Sequence, residues 1–144
     1  MDSTSLALMD DEVADEELLA RFITQRSQFR SSDETVKPDL FIPYRHVELS
    51  VTRHDQPGPI DLWQVGRDVV SERESAALCG RSDVTAIHCR IGPLTVSPDP
   101  ILPPASPTNP NHANILGFPE KKEDQKALAI QIAAKASKRI PPPG

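Results

Sequence analysis

The chain has 144 residues, of which 38% are hydrophobic and 4% aromatic, and its formal net charge is −5. This length is sufficient for one domain with a core of mainly aliphatic side chains. The acidic balance argues against a nucleic-acid partner, because such binding requires clustered positive charge. No apolar run approaches the roughly 20 residues of a membrane span, so we expect no membrane partner.

The charge is divided unevenly along the chain. Residues 1–17 carry seven acids and no base, whereas residues 120–144 carry six bases and three acids. The first fifteen residues are small, polar and acidic, a composition that is typical of disorder. We therefore predict a disordered acidic arm over residues 1–15, a single domain over residues 16–140 and a disordered proline-rich tail over residues 141–144.

The cysteine content and the N-terminal sequence indicate the compartment. Cys79 and Cys89 are the only cysteines, which favours a reduced compartment over a disulfide scaffold. The first twelve residues lack the basic and apolar regions of a signal peptide. We therefore expect a cytoplasmic protein.

Apolar spacing in the first half of the chain predicts two helices and a strand. Leucine, phenylalanine and isoleucine recur at helical spacing over residues 16–29, which predicts an amphipathic helix. Over residues 47–52 apolar and polar residues alternate, which is the clearest strand signal in the chain. A second helix is predicted over residues 60–72, where Gly66 would permit close packing of another element.

The second half is predicted to continue with shorter elements. Residues 76–79 indicate a short strand, and Ser82 has the character of an N-cap for a helix that ends at Gly92. Residues 94–97 form another strand candidate. The six prolines between positions 98 and 110 then impose an extended surface loop.

The last two predicted elements are the most clearly delimited. Residues 113–117 have the apolar character of a strand that enters the core. Pro119 is suited to the first turn of a helix, acids follow it, and bases precede Pro141 at the other end. Together the elements predict an α+β fold, in which one small sheet of three or four strands is packed by a long C-terminal helix and two or three shorter helices.

No motif of a large enzyme class occurs in the chain. A P-loop, a Gly-x-Gly-x-x-Gly turn, a nucleophile elbow and a His-Glu-x-x-His helix are all absent. The sequence therefore leaves open whether the protein is an enzyme, and we expect no cofactor. A zinc site from Cys79, His88 and Cys89 is not predicted either, because no Cys-x-x-Cys pair anchors it.

The block from Asn109 to Pro119 carries the clearest candidates for chemistry. Histidine is the residue type whose unperturbed side chain changes charge near neutrality, so His112 could act as a general acid or base. Asn114 shares a side with His112 if the segment is extended, so that the pair could hold one oxygen of a ligand. A second interpretation is that these side chains satisfy backbone groups where an irregular loop meets the sheet.

Two arginines are candidate ligand-binding residues. Arg53 falls at the end of the predicted strand, and Arg81 follows Gly80. The planar guanidinium group suits bidentate contacts with a carboxylate or a phosphate.

Several blocks of the chain resemble a group of small bacterial proteins of unassigned function. The similarity covers most of residues 18–139 and is carried by the following blocks: Leu49-Ser50-Val51-Thr52-Arg53, Trp63 with Gly66, Gly80-Arg81-Ser82-Asp83 and His112-Ala113-Asn114-Ile115-Leu116-Gly117-Phe118-Pro119. The resemblance implies a bacterial single-domain protein and supplies no catalytic residue.

Two functional hypotheses follow from the sequence. The first is an accessory or regulatory protein without enzymatic activity that binds a protein partner, since its ends are charged and no catalytic signature occurs. The second is a small enzyme or a module that binds a nucleotide or phosphate, in which Arg53, Arg81, His112 and Asn114 converge. The second hypothesis requires that the arginines and His112 line one common pocket.

Overall fold

A five-stranded antiparallel sheet forms the centre of the computed structural model, which describes residues 12–44 and 46–144. The strands are β1 (Leu18–Ile23), β2 (Glu48–Arg53), β3 (Gly80–Thr85), β4 (Thr95–Pro98) and β5 (His112–Leu116). Their spatial order is β3-β1-β2-β5-β4, with every neighbouring pair antiparallel. The described residues form two α-helices, α1 (Leu62–Ser71) and α2 (Lys122–Lys135).

The predicted number of elements is wrong, although the structure has α+β character. The prediction of three or four strands with three or four helices is replaced by five strands and two α-helices over the described residues. The segment Leu18–Ile23, within a predicted helix, is a strand, and the segment Gly80–Thr85, where a helix was predicted to begin at Ser82, is also a strand. These two segments pair with each other over six residues, so each provides the partner that stabilises the other as a strand.

Strand β1 lies in the interior of the sheet, between β3 and β2, and its apolar residues are divided between both faces. Leu19 and Ile23 are fully buried in the main core, while Ala20 and Phe22 are buried on the opposite side. A strand that is covered on both faces has an almost continuous apolar sequence. Such a run has no simple alternation, so its leucine and alanine content favoured a helix.

One face of the sheet, which we call the apolar face, belongs to the main core. Register places Leu49, Val51, Ala113 and Ile115 of the two central strands β2 and β5 on this face, where each is at most 2% exposed. Ala129 and Ile132 of α2 join the same core, as do Leu40 and Phe41 of the short 3-10 turn Pro38–Phe41. The long C-terminal helix is thus integrated into the core, as its position in the sequence predicted.

The other face, which we call the polar face, carries hydrophilic residues on the same strands. Register places Ser50 and Thr52 of β2 opposite Asn114 and His112 of β5. Helix α1 packs against this face with a close contact at Gly66, where an added Cβ would lie 2.9 Å from two ring carbons of Phe22. The predicted role of Gly66 in close packing is confirmed.

Chain segments outside the sheet protect its β3 edge and its N-terminal side. Ile140 exchanges two backbone hydrogen bonds with Arg81, so the C-terminal segment covers the β3 edge. Of the predicted acidic arm, residues 1–11 lie outside the described residues. Within the remainder of the arm, Val13 is buried in the main core and the Asp15 carboxylate lies 2.6 Å from Arg90 Nη1.

Candidate functional site

A cavity of about 390 Å³ lies on the polar face, between the helix α1 region and the proline-rich loop over residues 99–111. The strands contribute Arg21, Thr52 and His112 to its wall, and the helix side contributes Asp68 and Arg73. A cavity of this volume is in the range of small-molecule sites, which typically occupy about 300–1,000 Å³. We therefore take this cavity as the candidate ligand site.

Two asparagines fix the proline-rich loop that forms one wall of the cavity. Asn109 Nδ2 donates to Thr52 Oγ1 at 3.1 Å, and the backbones of Asn109 and Ile101 exchange two hydrogen bonds. Asn111 is fully buried, and its Nδ2 donates to the carbonyl oxygens of Arg53 and Gly58. The asparagines thus anchor an irregular loop to β2, which is the structural role that the sequence left open for this block.

His112 and Asn114 are brought together at Asp99. His112 Nδ1 lies 2.8 Å from the Asp99 carbonyl oxygen, and Asn114 Nδ2 donates to Asp99 Oδ2 at 2.9 Å. Because a carbonyl oxygen can only accept, Nδ1 carries the hydrogen, and Nε2 is the unprotonated nitrogen of the neutral ring. His112 lines the cavity, so its imidazole can accept a hydrogen bond from a ligand or, when protonated, present a positive charge.

Arg21 is the most unusual residue of the cavity wall. Along β1 it has the same parity as Leu19 and Ile23 of the apolar face, but the described pairing of β1 with β2 includes only Leu19 with Arg53 and Ala20 with Thr52. Beyond that pairing, the Arg21 side chain connects β1 to the turn Pro38–Phe41 and to β2. Its Nε donates to Leu40 O at 2.9 Å, and its Nη1 donates to Ser50 O at 3.0 Å. Both acceptors are neutral, so these bonds hold the guanidinium without balancing its charge.

The surroundings of Arg21 disfavour its positive charge. Burial, together with the positive charge of Arg73, lowers the pKa of Arg21 to about 10. A lowered pKa means that the surroundings disfavour the cation relative to water. Asp68 and Glu72 also line the cavity, yet neither forms an ion pair with Arg21 among the described residues. An anion bound beside Arg21 would supply the missing counter-charge.

The described arginines fall into two classes. Five of them form an ion pair with a carboxylate, namely Arg53, Arg67, Arg81, Arg90 and Arg139. Four do not form one within residues 12–44 and 46–144, namely Arg21, Arg26, Arg30 and Arg73. Arg21 and Arg73 line the cavity, so the two positive charges at this site are available to a ligand.

Arg53, a predicted ligand-binding residue, is committed to the fold. Its side chain is 2% exposed and forms a two-pronged contact with Glu17, with Nε to Oε1 at 2.8 Å and Nη2 to Oε2 at 2.9 Å. Burial raises the pKa of Glu17, but the hydrogen bond from Arg53 and that of the Ala14 backbone outweigh this effect and hold the pKa below its ordinary value. Arg53 thus neutralises a structural carboxylate.

Arg81, the other predicted ligand-binding residue, belongs to a separate cluster. Arg81 Nε donates to Asp83 Oδ1 at 3.1 Å, and His54 Nε2 donates to the same oxygen at 3.0 Å. The guanidinium also lies over the Trp63 ring, 4.9 Å from its centroid. Neither Arg81 nor Arg53 lines the cavity, so the four predicted site residues are not brought into one pocket.

Arg21 is not among the site residues that the sequence predicted. It falls within the helix predicted over residues 16–29, and as a residue of strand β1 it instead lines the cavity. The available signal was a single arginine within the apolar run Leu18–Ile23. A lone charge in such a run indicates either a bend, a buried partner or a functional role.

Cysteines, metal ligation and membrane spans add no further site. Cys89 is fully buried, and burial raises the pKa of its thiol to about 12, so it packs as a small apolar residue. Within the described part of the chain, no three His, Cys, Asp or Glu side chains are grouped so that they could hold a metal ion. None of the helices in that part combines the length and the hydropathy needed to cross a membrane.

A comparison with protein-family models, with curated proteins and with solved structures finds no match to this chain. The resemblance to small bacterial proteins therefore stays a prediction. The functional inference consequently depends on the chemistry of the cavity and of the charged surface.

Proposed function

We propose that this protein binds a small organic anion, with a carboxylate or phosphate group, in the cavity on the polar face. The observation that carries the proposal is Arg21, a guanidinium in the cavity wall that forms no ion pair with a described carboxylate. Arginine binds such anions through parallel N–H donors. Arg73 on the same wall adds a second positive charge to the field that a ligand meets.

The other groups of the wall favour a ligand with a defined polarity. Asp68 and Glu72 are acceptors on the helix side of the cavity, whereas Thr52 and Thr108 offer hydroxyl groups elsewhere on the wall. An anion that also carries a hydrogen-bond donor, such as an amino or amide group, would satisfy both sides. Nucleotides and amino-acid-like acids are therefore the ligand classes to test first.

His112 adds a hydrogen-bonding group to the cavity wall. With its hydrogen on Nδ1, the neutral ring can accept a hydrogen bond from a ligand at Nε2. This role does not require that a reaction be catalysed.

A thermal-shift screen followed by titration calorimetry tests the proposal. The panel would contain inorganic phosphate, nucleoside monophosphates, dicarboxylates and amino acids. A true ligand at 100 times its Kd should stabilise the protein by about 2.7 kcal/mol. The variant Arg21→Met should lose about 1.5–3 kcal/mol of binding free energy, as expected when a charge-assisted hydrogen bond is removed. His112→Ala should weaken binding, because it removes a hydrogen-bond acceptor from the cavity wall.

The matched control is Arg67→Met on helix α1. Arg67 is 50% exposed, forms a long ion pair with Asp61 and does not line the cavity. This control should bind ligand as the wild type does. If Arg21→Met fails to fold, the exposed Arg73→Met serves in its place and should weaken binding with the fold intact. Full affinity in both cavity variants, or no ligand in the whole panel, would refute the proposal.

A further inference from the structure

The two remaining arginines without an ion pair lie in a second concave surface. A groove of about 880 Å³, which we call the basic groove, has Arg26, Arg30, Lys37, Leu78 and Arg139 among its lining residues. It shares no lining residue with the cavity on the polar face. Its charges therefore act separately from those around Arg21.

The basic groove carries an excess of positive charge. Its lining contains four bases and one acid, Glu34. The acid is already neutralised, since Glu34 holds Arg139 through two contacts of 2.8 and 2.9 Å. Arg26, Arg30 and Lys37 remain without a carboxylate partner among the described residues. This local excess contrasts with the net charge of −5 of the whole chain.

The floor of the basic groove is fixed by its own contacts. Arg139 lies over the Phe29 ring, 4.8 Å from its centroid, and its Nη1 donates to Cys79 O at 2.9 Å. The Glu34 pair completes the set of partners of this guanidinium. Hydrogen bonding to Glu34 raises the pKa of Arg139, so the floor keeps its charge balance over the physiological range. A pre-organised floor reduces the ordering cost of binding.

Apolar and hydroxyl groups accompany the positive charge. Ala77, Leu78 and Pro142 provide an apolar wall, and Ser31 and Ser32 present hydroxyl groups. Arg30 Nη1 donates to Thr35 Oγ1 and to Val36 O, which holds this arginine at the rim. The surface thus combines separated positive charges with a small apolar strip.

From this combination we propose that the basic groove is a docking surface for an acidic, extended peptide segment of a partner protein. Carboxylates at alternate positions of the segment would contact Arg26, Arg30 and Lys37. An apolar side chain between them would contact Leu78 and Pro142. Alternation of this kind is natural for an extended peptide, in which successive side chains point in opposite directions.

An acidic peptide fits this groove better than a nucleic acid does. A nucleic acid presents a continuous phosphate backbone, and its affinity depends on many simultaneous phosphate contacts. Three bases without a partner provide few such contacts, and the acidic remainder of the chain repels a long polyanion. A short acidic segment would contact only the groove and would not extend over the acidic remainder of the chain.

Fluorescence anisotropy with a labelled peptide of alternating glutamate and leucine, about ten residues long, tests this surface on the full chain. The wild type should bind the peptide, and affinity should fall as salt is raised. The double variant Arg26→Gln/Arg30→Gln should bind about tenfold more weakly, since two exposed charge contacts are lost. Arg139 is left unchanged because it supports the groove floor.

Matched controls separate the possible occupants. Arg67→Gln, outside the groove, should bind the peptide like the wild type. A peptide with lysine in place of glutamate should not bind. Equal affinity in the double variant, or tighter binding of a single-stranded oligonucleotide than of the acidic peptide, would overturn the proposal. Arg21→Met should leave peptide binding unchanged, so failure of the cavity proposal is distinguishable from failure of this one.

Discussion

The two faces of the sheet differ in character although the same strands build both. On β5, Ala113 and Ile115 are fully buried on the apolar face, while His112 and Asn114 alternate with them on the polar face. The apolar face belongs to the main core, whereas the polar face borders a cavity under a helix and a loop. Alternate residues of one strand therefore belong to the core and to the face that borders the cavity.

The covers of the two faces also differ in kind. On the apolar side, α2 and the turn Pro38–Phe41 supply side chains to the core. On the polar side, α1 makes a close contact at Gly66 and the Trp63 ring lies against Arg81, and the proline-rich loop is held through asparagine hydrogen bonds. Hydrogen-bonded loops leave room for a cavity that a close-packed core does not. Three substitution pairs test this division.

The largest effect is expected from truncation on the apolar face. Ile115→Ala removes a fully buried side chain, and such truncations cost about 2–5 kcal/mol of unfolding free energy. Ser50→Ala, on the neighbouring strand and the opposite face, should change it by no more than about 0.5 kcal/mol. Urea denaturation of both variants measures the difference. Similar losses in the two variants would show that the polar face is as tightly packed as the core.

The next effect is expected where α1 contacts the sheet. In Gly66→Ala, the new methyl group would lie 2.9 Å from Phe22 ring carbons and 3.0 Å from Leu78 Cδ1. Overpacking of about 1–3 kcal/mol should exceed the gain of about 1 kcal/mol in helix propensity. The variant should therefore unfold at a lower temperature. Gly58→Ala is the control, because its methyl group would meet nothing within 4 Å. A stabilised Gly66→Ala variant would contradict the close contact.

The smallest effect is expected from acid titration, which compares one carboxylate near each face. For Asp83, as for Glu17, burial raises the pKa but hydrogen bonds from neighbouring basic side chains hold it below its ordinary value. A lowered folded pKa means that the stabilisation is complete above the unfolded values, 4.5 for Glu17 and 3.8 for Asp83, and is lost as the pH falls through the folded values.

Urea midpoints measured from neutral pH to about pH 3 test this expectation. Glu17→Gln should be less stable than the wild type at pH 7 and should lose less stability on acidification. Asp83→Asn should also be less stable than the wild type at pH 7. Its smaller loss of stability on acidification should appear at lower pH than that of Glu17→Gln, because the unfolded pKa of Asp83 is lower. An acid slope identical to that of the wild type in both variants would show that other carboxylates control acid unfolding.

Local signals in the sequence correctly predicted several elements. The alternation over residues 47–52 corresponds to β2, and the helix expected beyond Pro119 corresponds to α2 at Lys122–Lys135. The helix predicted over residues 60–72 corresponds to α1, where Asp61 accepts hydrogen bonds from the amides of Trp63 and Gln64. In each case the pattern and the end residues lie within the element itself, so no distant partner is needed to recognise it.

Strands β1 and β3 could not be recognised in this way. Leucine and alanine in β1 favour a helix locally, and Ser82 and Asp83 in β3 have the character of a helix N-terminus. Only the pairing of two segments about sixty residues apart makes both of them strands, and a single-sequence pattern does not contain that pairing. The wrong assignment of β1 also concealed Arg21.

The sequence alone determined which residues alternate, where the loops are interrupted by proline and that arginine is the dominant base of the central part of the chain. It did not determine which arginines are neutralised, because an ion pair depends on side chains that are distant in sequence. Tertiary structure pairs Arg53 with Glu17 and Arg139 with Glu34, and it leaves Arg21 in the cavity wall with carbonyl acceptors only. The positive charge that a ligand could meet therefore depends on the fold, because it belongs to the arginines that these long-range ion pairs do not neutralise.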